Sequence, residues 1–198
     1  MSDACKTCPS SGSCKIDPND CGGAVEVEKS LVGSLNQIKN VIVVMSGKGG
    51  VGKSSVTGLI ASELARQGKK VGVLDADITG PSQPRAFGLA NIQLRGNDYG
   101  IIPPTTKLGI KLISINFFLP HEDDPVIWRG PILAGAVKQF WEEVDWRELD
   151  YLVVDLPPGT GDVPLTVMQT LPVKGIVIVS SPQELAVMVV KKTINMAK

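Results

Sequence analysis

Gly47-Lys48-Gly49-Gly50-Val51-Gly52-Lys53-Ser54 is the stretch on which the rest of this chain is read. It fits G-x-x-x-x-G-K-[ST], in which glycines let the backbone curl so that successive N–H groups point inward at phosphate oxygens. Its context is the one such a loop requires. Val41 to Met45, just before it, is a short apolar run, mostly β-branched, the pattern of a strand buried on both faces. Residues 54–67 (SSVTGLIASELARQ), just after it, carry a helical period that stops at Gly68, a helix-terminating residue. The helix N-terminus adds partial positive charge where an anion would sit. Gly47 through Ser54, with Ser55, then form a phosphate cradle in which Lys53 contacts the β- and γ-phosphates and the Ser54 hydroxyl ligates Mg²⁺.

Working outward, the apolar runs recur. Val71 to Leu74, Ile110 to Ile115, Tyr151 to Val154 and Ile176 to Val179 read as further buried strands. Pro131 to Val144, 163–171 and 183–197 read as helices, and 25–38 as a weak lead-in helix. Residues 76–106 are rich in glycine, proline and polar residues, with room for a small hairpin. Apolar strands alternating with helices predict an α/β fold, a doubly wound and mostly parallel sheet covered on both faces.

In open sheets of this kind ligands bind at the carboxyl ends of the strands. Asp75 and Asp77 end the second strand in VGVLDAD, and Asp155 ends YLVVD. An apolar strand ending in Asp is the Walker B arrangement, whose carboxylate holds Mg²⁺, usually through water. Asp75 reads either as a strand-end cap or as support for the Mg²⁺ shell. Gly159 and Gly161 make the following turn able to respond to a γ-phosphate. Asp162 reads equally as a cap of the next helix or as a reacting group. His121, the single histidine, sits in a polar loop and reads as a bystander, so no histidine general base is expected. Trp128, Trp141 and Trp146 read as core or interface anchors.

The chain has 198 residues, 20 Lys plus Arg against 20 Asp plus Glu, and 43% hydrophobic residues. That is enough apolar content for a sizeable core and excludes wholesale disorder. A net charge of zero argues against a surface built to attract nucleic acid. No apolar run reaches the ~18–20 residues of a membrane span, and the N-terminus lacks the features of a signal peptide. No nucleic-acid or membrane partner is therefore expected, and the expected location is cytoplasmic. All four cysteines, Cys5, Cys8, Cys14 and Cys21, fall in a polar segment without hydrophobic period. Clustered cysteines in a reducing compartment are more often metal ligands than disulfides. Two parts follow: a cysteine-rich arm over 1–24 and a nucleotide-binding domain over 25–198. Four thiolates suffice for an iron–sulfur cluster, and their uneven spacing suits one better than zinc, though zinc or no metal also remain open.

Five motifs in order carry a resemblance: GKGGVGKS (47–54), DADITGPS (75–82), WRGP (128–131), DLPPGTGD (155–162) and SSPQELA (180–186). Across 38–198 the chain resembles the Mrp-type iron–sulfur cluster carrier ATPases, a branch of the MinD/ParA superfamily of P-loop NTPases. Lys48 makes the loop similar to that superfamily's deviant Walker A, whose early lysine reaches the phosphates of a dimer partner's nucleotide. The resemblance implies that Asp77 positions the attacking water and helps the Mg²⁺ shell, so that Lys48, Lys53 and Asp77 serve catalysis. It implies Mg²⁺ held by Ser54, Asp75, Asp77 and Asp155, slow ATP hydrolysis, and a dimer with another copy or a homologue. Cys5, Cys8 and Cys14 match the C-x2-C-x5-C arm of the scaffold-type members, which helps hold a [4Fe–4S] cluster. Those members have a fourth cysteine upstream. Here Cys21 lies downstream, and the fourth ligand stays open between it and another group. Family members also continue past the last helix with further strands and a cluster-bridging C-x2-C pair. The expected domain therefore lacks its last strands, as a C-terminally truncated chain would.

The implied function is an ATP-binding and ATP-hydrolysing carrier that transfers [4Fe–4S] clusters to apoproteins. The alternatives are a MinD/ParA-like positioning switch, a nucleotide-binding scaffold without efficient hydrolysis, and an ATP-driven reductase. The last would need mid-chain cysteines, and none follows Cys21.

Overall fold

A computed structural model describes residues 35–77, 80, 82–90, 92, 94–97, 100–118, 130–159 and 161–182. The 1–24 arm with Cys5, Cys8, Cys14 and Cys21, most of the lead-in segment, His121, Trp128 and the helix expected over 183–197 lie outside the described residues.

Five parallel strands form the sheet: β1 (Gln37–Ser46), β2 (Val71–Asp75), β5 (Lys111–Ser114), β6 (Glu148–Asp155) and β7 (Val173–Val179), in the order β5-β2-β6-β1-β7. Two short strands, β3 (Arg95–Asn97) and β4 (Gly100–Ile102), make the hairpin for which 76–106 has room. The helices are α1 (Lys53–Arg66), a single turn α2 (Gln83–Ala86), α3 (Gly130–Glu143) and α4 (Asp162–Thr170).

The continuous apolar runs are explained by the two cores that share them. Val43, Met45, Leu74, Leu152 and Val154 face one core with Val137 and Phe140 of α3 and Val163 and Val167 of α4. Val44, Val71, Val73 and Val153 face the other with Ala61 of α1. Because side chains alternate along a strand, a strand covered on both sides needs apolar residues at every position.

Three expectations are corrected. β1 begins at Gln37, not Val41, and takes in the end of the segment read as helix, because Gln37 and Ile38 pair in register with Glu148 and Leu149. β6 likewise begins at Glu148 and β7 at Val173. Polar ends of strands gain their place from neighbouring backbone, which apolar patterning does not reveal. The single turn α2 lies within the segment read as loop and hairpin. β7 is the edge of the described sheet on its side, and none of its side chains is fully buried.

The amino ends of the strands close around Trp146, fully buried, whose indole N–H donates to the Phe140 carbonyl at 3.1 Å. Gly72 of β2 lies beneath it. A Cβ there would come within 2.7 Å of Leu149 Cδ1 and 3.0 Å of Trp146 Cζ3, so the glycine is required by close packing. Among the described residues no helix is long and apolar enough to cross a membrane.

Candidate nucleotide-binding site

Strand register builds the site. In the ladder Asp75 stands opposite both Asp155 and Ser114, and Asp155 stands opposite Val44, two residues before the end of β1. The carboxyl ends of four adjacent strands therefore bring three polar side chains to one level. Ser46 O, at the end of β1, accepts the Gly159 N–H at 2.8 Å, which ties the turn after β6 to the start of the glycine loop.

The loop enters α1 through Gly50 (φ 75°) and Gly52 (φ 88°), both left-handed, a conformation that side-chain-bearing residues rarely adopt. The first amides of α1 have no carbonyl partner within the helix. They border a cleft of about 230 Å³ lined by Lys48, Gly49, Gly50, Gly52, Lys53, Ser54, Ser55 and Asp77, with Ser46, Gly80 and Pro158. Of the residues expected in the cradle, Gly47 and Val51 do not line the cleft. Lys48 is exposed at its mouth.

Lys53 is buried, and its ammonium contacts Asp155 Oδ1 at 2.5 Å and Asp77 Oδ2 at 3.2 Å. Asp155 is fully buried behind it. Asp75 lies deeper still. Its Oδ1 accepts the Asp77 N–H at 3.2 Å, and its Oδ2 accepts the Gln83 N–H at 3.3 Å and the Ser114 hydroxyl at 3.2 Å. Burial, with the nearby charges of Asp155 and Asp77, pushes its carboxyl up to about 8. One ammonium thus faces more carboxylate than it neutralises, and Asp75 answers by holding its proton.

That surplus suits a divalent cation. Among the described residues no three His, Cys, Asp or Glu side chains are arranged to hold a metal by themselves. Magnesium is usually held by one or two carboxylates with phosphate and water oxygens completing its shell, so the donors present fit that ion. The Ser46 hydroxyl, fully buried in the cleft wall, has no protein hydrogen-bond partner.

Two residues here escape a sequence reading. Ser114 ends a strand without any motif. Gln83 is fully buried, and its amide N–H groups donate to Ser54 O at 2.9 Å and Asp155 Oδ2 at 2.8 Å. Nothing in SQPRA marks that glutamine as buried. Asp162 stands in the first turn of α4, where its charge favours the helix dipole, but makes no capping hydrogen bond; Gly161 occupies the cap.

The loop, the paired lysine and the acid-ended strands are those of a P-loop NTPase, and a family model for ParA, described as the NUBPL iron-transfer P-loop NTPases, matches residues 37–198. The chain belongs to this family. Two relatives named "Iron-sulfur cluster carrier protein" are similar along 98% of the chain: one from Clostridium perfringens at 50% identity and one from Methanocaldococcus jannaschii at 49%. The alignments span 71% and 66% of those proteins. A nucleotide-binding protein from Archaeoglobus fulgidus, solved in complex with ADP, superposes on 81% of the chain with a TM-score of 0.71 and 53% identity. The superposition covers 61% of that chain, so this chain spans roughly two thirds of the family members it matches.

Proposed function

We propose that this cleft binds ATP with Mg²⁺ and hydrolyses it slowly, and that in the whole protein this cycle governs the carriage of a [4Fe–4S] cluster to recipient apoproteins. The observation that carries the nucleotide part is the convergence of Lys53, Asp77 and Asp155 directly behind the glycine loop. The names of the relatives, and the cysteine arm, support the cluster part.

The chemistry follows from the charges. The α1 amides and Lys53 supply positive potential to phosphate, so Lys53 exchanges its carboxylate partners for phosphate oxygens on binding. Asp155 Oδ1 and Asp77 would then face a cation and its waters, and the Ser54 hydroxyl would be a protein donor to it. A magnesium ion held by Ser54, Asp77 and Asp155 would supply charge neutralisation to the phosphate oxygens. Phosphoryl transfer needs positioning and charge neutralisation more than covalent catalysis, and the site needs no histidine. Asp77, at the cleft wall, orients the attacking water. Lys48, at the mouth, reaches the nucleotide of a partner, a second copy or a homologue. Asp75 supports the set from behind. Cys5, Cys8, Cys14 and Cys21 hold the cluster as cargo.

Two measurements test this. Lys53→Ala loses a charge-assisted phosphate contact, so its ATP affinity falls about 10- to 100-fold. Unaltered affinity contradicts the nucleotide reading. Anaerobic reconstitution with iron and sulfide gives the thiolate-to-iron absorption band in the wild type and loses it in Cys5→Ala. No band in the wild type contradicts the cluster reading, and a band kept in Cys21→Ala removes that residue as a ligand.

A further inference from the structure

We propose that Gln83 is a positioning residue that keeps Asp155 aimed and the metal-binding end of α1 in place while Lys53 changes partners. This rests on the nucleotide reading above and adds to it a residue outside the loop and strand-end motifs.

The observation is a clamp. One carboxamide spans two elements: its two N–H groups donate to Asp155 Oδ2 at the end of β6 and to the Ser54 carbonyl in the first turn of α1. The backbone N–H of the same residue donates to Asp75 Oδ2 at the end of β2. Three loops that must act on one nucleotide are thus joined through one residue, which is fully buried. Its Oε1 has no protein partner. An unpartnered buried acceptor is costly, and a side chain serving packing alone at such a place would be apolar.

The division of labour on Asp155 gives the clamp its purpose. Lys53 holds Oδ1 and Gln83 holds Oδ2. When Lys53 turns to phosphate, a carboxylate with no second donor would be free to rotate. With Gln83 on Oδ2, Oδ1 stays directed toward the space Lys53 leaves. The same amide fixes the Ser54 backbone, from which the metal-ligating hydroxyl projects. Partners that orient metal ligands in this way are typically worth 10- to 100-fold in metal affinity.

Gln83→Met keeps the length and removes both donors. Gln83→Glu keeps the shape, removes both donors and adds a like charge beside Asp155. The full-length protein and both variants are titrated with a fluorescent ATP analogue in EDTA and then across a range of Mg²⁺ concentrations. Thermal unfolding reports that each variant is folded. We expect near wild-type affinity in EDTA, at least tenfold more Mg²⁺ for half-maximal response in Gln83→Met, and a larger shift in Gln83→Glu. If one variant does not fold, the other carries the same comparison. Unchanged Mg²⁺ dependence in a folded variant overturns the proposal, as does an equal loss of affinity with and without Mg²⁺, which marks a merely structural residue. A wild type that binds no nucleotide overturns the function proposed above and this inference with it. A wild type that responds to Mg²⁺ while the variants match it overturns the inference alone.

Discussion

The two ends of the same parallel strands are built on opposite terms. At the amino ends, β2 and β6 close over Trp146 and Leu149 with a glycine admitting the indole, and the charges there stand mostly outside, Asp145 being the buried exception, paired with Arg147 at 2.7 Å. Lys39 reaches Asp150 at 2.8 Å and Lys70 reaches Glu148 at 2.6 Å, both pairs in contact with water. The Lys39 ammonium holds the Asp150 carboxyl below its ordinary value. At the carboxyl ends the charges are inside. Lys53, Asp75, Asp77 and Asp155 are buried within a few ångströms of one another. Burying an ion pair costs desolvation that its Coulomb energy often fails to repay. The difference teaches that one end of the sheet is closed mainly by apolar packing and the other by a cluster of buried charges.

The most direct way to break that comparison is Trp146→Ala. It opens a cavity in the amino-end core and costs about 3–5 kcal/mol of unfolding free energy, measured by denaturant titration. The folded fraction should bind nucleotide as before. An affinity that fell with stability would mean the two ends are not separable.

Gly72→Ala probes the same end with one methyl group. The new Cβ would sit 2.7 Å from Leu149 Cδ1, and such overpacking costs about 1–3 kcal/mol. No loss of stability would mean that the Trp146 layer has slack.

At the carboxyl end, Asp75 sharpens the contrast through pH. The unfolded carboxyl ionises near 3.8, whereas the folded one holds its proton to about 8. Between these values the folded state binds more protons, so stability falls as pH rises. The slope is about 1.4 kcal/mol per pH unit, measured on metal-free protein in EDTA. Asp75→Asn should flatten this slope, and an unchanged slope would show that Asp75 is not its source.

The smallest effect is expected at Lys70, whose pair with Glu148 is 63% and 64% exposed. Exposed pairs contribute little and are screened by salt. Lys70→Ala should leave the unfolding midpoint where it was, and a clear drop would place real stabilisation in the outer charges.

Much of the fold was legible because its signals are local. The glycine loop is recognisable from eight consecutive residues, since left-handed glycines and a Lys-Ser pair at a helix start act on their immediate neighbours. α1 needed only its period and Gly68. The strands showed where they are buried on both faces and hid where they are polar, as Gln37 and Glu148 illustrate. At the site, Lys53, Ser54, Asp77 and Asp155 stood in motifs, but their mutual contacts did not.

By itself the sequence determined the family, the parallel α/β architecture and the residue types offered to phosphate and metal. Tertiary structure alone decided that Asp75 shares a level with Asp155 and Ser114, that Lys53 sits between two carboxylates, and that Gln83, 72 residues before Asp155 in the chain, is clamped to it. The physical reason is range. Backbone propensity and hydrophobic period act over a few residues, whereas burial and Coulomb interaction depend on which distant segments the strand register brings together.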